Sequence, residues 1–253
     1  MKFYLDLKDK RLQEVERLIR QHYEHSGKKV DTLDLFDNLQ NIKNEDVCIL
    51  SPAYKWTKDF FCMLPQGVTI FGGNLMPELS GMSKKYNYHN MMQIERFVVD
   101  NARLTAEGFL AKFISETGKS IYEQKILVIG SGRVAKAVWA IFSKLGVKFD
   151  CTMRKESEIA LSRILCNKSF PLNTLDRNLT YYDVVINTAP AVLFNNDDSF
   201  ASEAVLFELS SVKSIEGECD KIRYVPCPAL PAKYLPISAG RLIYKLVADN
   251  LNL

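Results

Sequence analysis

The chain has 253 residues, of which 47% are hydrophobic and 25% charged, with a formal net charge of +3. That length holds one large or two modest domains, and the balance of residues is that of a soluble globular protein. The small charge, without a block of like charges or a basic stripe, argues against nucleic-acid binding, and the apolar runs are far shorter than a membrane span.

In chain order, Lys2–Asp6 predicts a strand and Lys10–His25 an amphipathic helix with Leu12, Val15, Leu18 and Ile19 on one face. The N-terminus becomes charged too quickly for a signal peptide. Asp46–Leu50 and Val68–Gly73 read as strands, which gives a small N-terminal α/β domain over residues 1–90. A helical stretch over 87–117, broken near Leu104–Gly108, is the expected linker into a second domain over 91–236. There, strands at 126–129, 147–153, 183–187, 204–209 and 222–226 alternate with helices at 132–145, 156–166 and 174–180. Such alternation predicts a doubly wound parallel sheet, a Rossmann fold. Residues 237–253 are expected to form a C-terminal helix that packs back on the first domain. The six cysteines are scattered, which points to reduced thiols in a cytoplasmic protein, and the three histidines form no zinc-like cluster.

The segment richest in chemistry is Lys125–Ala137. A buried strand leads into Gly130-Ser131-Gly132-Arg133-Val134-Ala135, a G-x-G-x-x-A run, and then a helix. Placed between strand and helix, this is the fingerprint of a dinucleotide-binding β-α-β unit. Gly130 permits the tight turn, Gly132 lets a pyrophosphate approach the backbone, and Ala135 lets the helix pack close. The phosphates would face the free N–H groups at the helix start. Dinucleotide folds that take NAD carry an acid at the end of the second strand, but here that strand ends in Arg154-Lys155, with Asp150 too early. A guanidinium at this edge suits a ribose 2′-phosphate, so NADP(H) is favoured, with NAD(H) the alternative. Asn187-Thr188-Ala189-Pro190 follows a later strand and should flank the cofactor on the rule that ligands bind beyond the carboxyl ends of parallel strands.

Five segments together resemble the A subunit of bacterial dipicolinate synthase, most clearly from about residue 97 onward. They are Asn101–Gly108 (N-A-R-L-T-A-E-G), Gly130–Arg133, Asp183–Ala191 (D-V-V-I-N-T-A-P-A), Glu208–Ser211 (E-L-S-S), and Pro228–Leu242. The resemblance implies a nicotinamide-dependent oxidation of a dihydrodipicolinate-type precursor to dipicolinate. It also implies a flavoprotein-like partner, the B subunit of that enzyme, together with a homo-oligomer and the cytoplasm of a spore-forming cell. It marks Thr105, Glu107 and Lys213 as candidate catalytic residues, and Lys233, Ser238 and Arg241, beside Arg133, as donors for a small dicarboxylate. Two residue readings stay open. Thr105 and Glu107 could instead cap and favour a restarting helix, and Ser238 could be an ordinary N-cap. The chain departs from the family pattern at Ile237, where the family has lysine, at Ala229 and Ala232, where it has glycine, and over 211–217, where paired glycines are lost. These departures keep two other readings in play: a shikimate-dehydrogenase-like reductase, and a non-catalytic nucleotide-binding partner of an enzyme complex.

Overall fold

The computed structural model describes residues 1–52, 56–175, 178–217 and 220–253. The chain opens with β1 (Phe3–Leu5), α1 (Lys10–His25), β2 (Thr32–Asp34), β3 (Val47–Ile49), α2 (Lys58–Cys62), β4 (Thr69–Gly72), β5 (Asn87–Asn90) and α3 (Glu95–Thr117). It continues with β6 (Ile126–Ile129), α4 (Arg133–Leu145), β7 (Phe149–Met153), α5 (Glu156–Ser162), β8 (Lys168–Pro171) and β9 (Asn178–Leu179). Then come β10 (Val184–Asn187), β11 (Ser199–Phe200), β12 (Val205–Glu208), β13 (Arg223–Pro226), α6 (Leu230–Tyr234) and α7 (Pro236–Leu251). Two compact units result: the first holds Met1–Leu104 and Pro231–Leu253, the second Thr105–Leu230.

The first unit has a parallel sheet in the order β2-β1-β3-β4-β5. α1 forms because Leu12, Val15 and Ile19, all 0% exposed, recur at helical spacing and face that sheet. α7 lies on α1 in the same core through Ile243, Leu246 and Val247. Gly240 makes the approach possible: a Cβ there would stand 2.5 Å from the Arg11 carbonyl and 2.7 Å from the Glu14 Cβ.

The second unit has a parallel six-stranded sheet, β13-β12-β10-β6-β7-β8. The chain runs outward from β6 to β8 and returns to β10 on the other side of β6, which is the Rossmann order. β6, β10 and β12 are buried at every position, as strands covered on both faces must be. α4 packs through Ala135, Val138, Trp139 and Phe142 and ends at Gly146 in the left-handed region, φ +73°.

Three expectations change. α3 is unbroken from Glu95 to Thr117, and residues 87–90, expected at its start, are strand β5. Gly108 does not interrupt the helix; its missing side chain accommodates Leu230, whose Cβ would lie 3.0 Å from an added Cβ. The helix expected over 174–180 is absent from its described parts, where Leu172–Thr174 is a 3-10 turn and Asn178–Leu179 a short strand, while residues 176 and 177 lie outside the described residues. The edge strands β2, β5 and β8 have no counterpart among the expected elements.

Candidate functional site

In an open parallel sheet, the crevice for a ligand forms beyond the carboxyl ends of the two strands where the order reverses. In the second unit those strands are β6 and β10. β6 runs into Gly130-Ser131-Gly132 and β10 into Thr188-Ala189-Pro190. The two loops are tied together. Gly130 N–H donates to the Thr152 carbonyl of β7 at 2.9 Å, and Thr188 N–H to the Ile129 carbonyl at 3.0 Å. The Thr188 hydroxyl donates to that same carbonyl at 2.8 Å. Gly130 has φ +110°, and a Cβ on it would meet the Thr188 Oγ1 at 2.3 Å. This position therefore excludes every side chain, by conformation and by space.

Gly132 serves differently. It is the N-cap of α4 with φ −71°, which any residue adopts, and a Cβ there would meet nothing within 4 Å. No side chain caps α4, and its first turn carries no acid. The positive end of the helix dipole thus carries no capping side chain and no acid, next to open space beside Gly132. The first helix of the other unit is the contrast. Its N-cap, Asp9, accepts from Arg11 N–H at 2.9 Å, and the Arg11 guanidinium grips the same carboxylate and Ser51 Oγ. That helix start already holds an anion supplied by the chain, whereas no side chain caps the start of α4. The glycine loop with Ser131, Arg133 and Val134 therefore fits the pyrophosphate of a dinucleotide.

Asn187 ends β10 fully buried, and its amide is consumed internally. Its Nδ2 donates to Glu208 Oε1 at 2.7 Å and to the Ala189 carbonyl at 3.0 Å, while its Oδ1 accepts from Ala189 N–H at 3.0 Å. Glu208, 4% exposed, also accepts from Ser210 N–H and Ser214 N–H. Expected as a cofactor contact, Asn187 instead holds the loop in shape. Thr188 and Ala189 are half-buried and Pro190 exposed.

The end of β7 carries Arg154 and Lys155, both exposed; Lys155 is the N-cap of α5. Asp150 lies inside the strand, where it accepts from Asn167 Nδ2 at 3.2 Å and from the Tyr182 hydroxyl at 3.1 Å. Burial first, then the Asp150 carboxylate, push the Tyr182 phenol up, which keeps it a donor.

The remaining expected residues fall in several different elements of the two units. Thr105 and Glu107 lie within unbroken α3, so neither caps a restarting helix. Lys213 is exposed and donates to the Gly217 carbonyl at 2.6 Å. Lys233 is exposed, its ammonium 5.4 Å from the Tyr234 ring centroid. Ser238 is the third residue of α7, whose N-cap is Leu235, so it is not the cap. Arg241 Nε donates to Glu14 Oε1 at 3.2 Å. Lys233, Ser238 and Arg241 belong to the first unit and the glycine loop to the second. Sequence reasoning missed the Asp9–Arg11–Ser51 cluster, whose only local signal is the acid two residues before a basic one at a helix start. It also missed the grip of Glu208 on the 210–214 loop.

A surface cavity of about 460 Å³ opens at the opposite, amino-terminal edge of the second sheet, lined by Asp183, Glu203, Lys119 and Arg223 among others. Lys119 pairs there with Glu203, and Arg223 with Glu116. It lies away from the strand ends that hold the glycine loop. Among the described residues no helix is long and apolar enough to cross a membrane, and no group of three or more His, Cys, Asp or Glu side chains could hold a metal ion.

No family profile and no curated protein matches the sequence. Solved structures do match. The A subunit of dipicolinate synthase from Bacillus halodurans aligns over 100% of this chain and 98% of its own, with 21% identity and a TM-score of 0.78. Its counterpart in the dipicolinate synthase of Bacillus subtilis aligns over 100% and 96%, with 18% identity and a TM-score of 0.73. A D-isomer specific 2-hydroxyacid dehydrogenase from Lactobacillus delbrueckii ssp. bulgaricus, in its NAD-complexed form, covers 100% and 98% with 14% identity and a TM-score of 0.55. The chain thus has the two-sheet fold of the dipicolinate synthase A subunit, which is a dehydrogenase-like fold.

Proposed function

We propose that this chain is a nicotinamide-dependent oxidoreductase, a divergent relative of the dipicolinate synthase A subunit that uses NADP(H). The observation that carries the reading is the α4 start: an uncapped helix N-terminus behind Gly130 and Gly132, at the strand reversal of a Rossmann sheet. The five matched sequence segments and the shared fold support the same assignment.

In this reading Gly130, Ser131, Gly132, Arg133 and Val134 bind the pyrophosphate. Arg154 and Lys155 take the 2′-phosphate, with Arg154 forming the paired hydrogen bonds its planar fork allows. Thr188, Ala189 and Pro190 flank the bound dinucleotide, and Asn187 fixes their backbone. Bound nicotinamide supplies the hydride acceptor for oxidation of a dihydrodipicolinate-type dicarboxylate. Arg133, Lys233, Ser238 and Arg241 are the proposed carboxylate donors, and Thr105, Glu107 and Lys213 the proposed catalytic side chains, Glu107 holding or moving a proton at its carboxylate. The proposed partner is the flavoprotein-like B subunit of such an enzyme, with the chain itself in a homo-oligomer in the cytoplasm.

The test is a binding titration of NADP(H) and NAD(H), read as a rise in Tm, on wild type and Arg154→Ala. Selective stabilisation by the phosphorylated cofactor, reduced at least tenfold in affinity in the variant, is expected, since tenfold corresponds to about 1.4 kcal/mol and a charge-assisted pair contributes that much. No shift with either dinucleotide would sink the assignment. A second reading, a nucleotide-binding partner without turnover, draws on Ile237, 56% exposed where the family has a lysine. It predicts cofactor binding but no oxidation, even with the flavoprotein-like partner present.

A further inference from the structure

Cys151 stands in the middle of β7 with no exposed surface, and Cys166, half-buried, follows α5. Asn167 N–H donates to the Phe149 carbonyl at 2.8 Å, and Cys151 pairs across the ladder with Ser169. That register folds the segment carrying Cys166 back along β7, where the Cys166 thiol donates to the Lys168 carbonyl at 3.2 Å and lies beside the Cys151 thiol. Two hydroxyls complete the cluster. Ser162 and Ser169 both donate to the Ile159 carbonyl, at 2.9 and 3.0 Å, and both also reach the Cys166 sulfur. Each hydroxyl has one proton, so it serves the carbonyl when Cys166 is a thiol and can turn to the sulfur when Cys166 is a thiolate.

We infer that Cys151 and Cys166 form an oxidisable dithiol site, in which Cys166 attacks a hydroperoxide and Cys151 resolves the product to an intramolecular disulfide. The cluster divides the two roles. Hydrogen bonding from Cys151, against burial and with help from Ser162 and Ser169, brings the Cys166 thiol down to about 7, while burial pushes the Cys151 thiol up. A thiolate that solvent reaches, beside a buried thiol, is the arrangement in which oxidation ends in a disulfide. In the first step the Cys166 thiolate attacks one peroxide oxygen. An S–O bond forms, the O–O bond breaks, and the leaving oxygen departs as water or alcohol after taking a proton. In the second step the Cys151 sulfur attacks the Cys166 sulfenic acid, an S–S bond forms, the S–O bond breaks, and water leaves with the Cys151 proton. Two thiols give up two electrons and two protons, and the peroxide is reduced. The bond closes a ring that contains Arg154, Lys155 and the whole of α5. Cys48 and Cys227, buried and each pushed up to about 12 by burial, are unreactive by comparison, and exposed Cys62 is the internal control.

The experiment treats the reduced full chain with one equivalent of hydrogen peroxide near neutral pH, blocks free thiols, and maps tryptic peptides. Trypsin separates the two cysteines into peptides 149–154 and 164–168. The expected main product is these two peptides joined, separated again by dithiothreitol. In Cys151→Ser, Cys166 stops at the sulfenic acid and is captured by dimedone. The wild-type map needs no variant, so it holds even if that substitution impairs folding. Oxidation of Cys62 ahead of Cys166, or a different pairing as the main product, would overturn the inference.

Discussion

The two glycines of the loop after β6 make opposite predictions. Gly132→Ala adds a Cβ to open space at an ordinary φ, so stability should stay within about 0.5 kcal/mol of wild type while dinucleotide affinity falls, because the methyl occupies room a pyrophosphate needs. Gly130→Ala should damage the fold itself, by about 2 kcal/mol or more in urea unfolding, from a strained φ and a collision with Thr188. Equal affinity for NADP(H) in wild type and Gly132→Ala would remove the pyrophosphate assignment. Ala229 inverts the case. It stands where the resembled family has glycine, yet keeps φ +50°. The left-handed region costs an alanine roughly 1–2 kcal/mol, and glycine returns part of that to the unfolded chain as entropy. Ala229→Gly should therefore stabilise the protein by about 0.5–1 kcal/mol, and a loss of stability would contradict the strain. The glycine loop was legible in the sequence because its spacing is local. The internal use of Asn187 was not, because its partner Glu208 lies on the next strand and only the folded sheet brings them together.

At the scale of elements, buried central strands and the long amphipathic α1 were readable from apolar runs and helical spacing. β2, β5 and β8 were not: they are short edge strands, and Asn87–Asn90 and Lys168–Pro171 are polar and half-buried or exposed, so no hydrophobic period marks them. α3 misled because a glycine in a helix reads as a break until the packed Leu230 is seen. The α1–α7 pair also carries an acid-sensitive contact. The Arg17 hydrogen bond, opposed by burial and joined by Arg241, holds the Glu14 carboxyl below its ordinary 4.5. A lowered folded value means the stabilisation is complete above pH 4.5 and is lost as pH falls through the lower folded value. Arg17 and Arg241 are more than half exposed, so the effect is modest, about 1 kcal/mol or less. Arg241→Met should lower Tm at neutral pH and flatten the fall in Tm below pH 4.5; an unchanged acid profile would show that the contact contributes nothing.

At the scale of the whole molecule, the first unit is discontinuous, completed only by Pro231–Leu253. Ending the chain at Leu230 would strip α7 from α1 and uncover the part of the shared core that Ile243, Leu246 and Val247 complete. Such a truncation should make β1–β5 exchange amide hydrogens rapidly while β6, β10 and β12, whose sheet is whole without α7, stay protected; equal loss in both sheets would mean the units do not fold separately. The same interruption sets an order of events on the ribosome. Every residue of the Rossmann sheet emerges before α7 does, so the nucleotide unit has its full complement of strands while the first unit still waits for its last helix. Through that interval the nascent chain displays the part of its apolar core that α7 later covers, the kind of surface chaperones and proteases read. Emergence of α7, which Gly240 allows to dock, is what retires that signal.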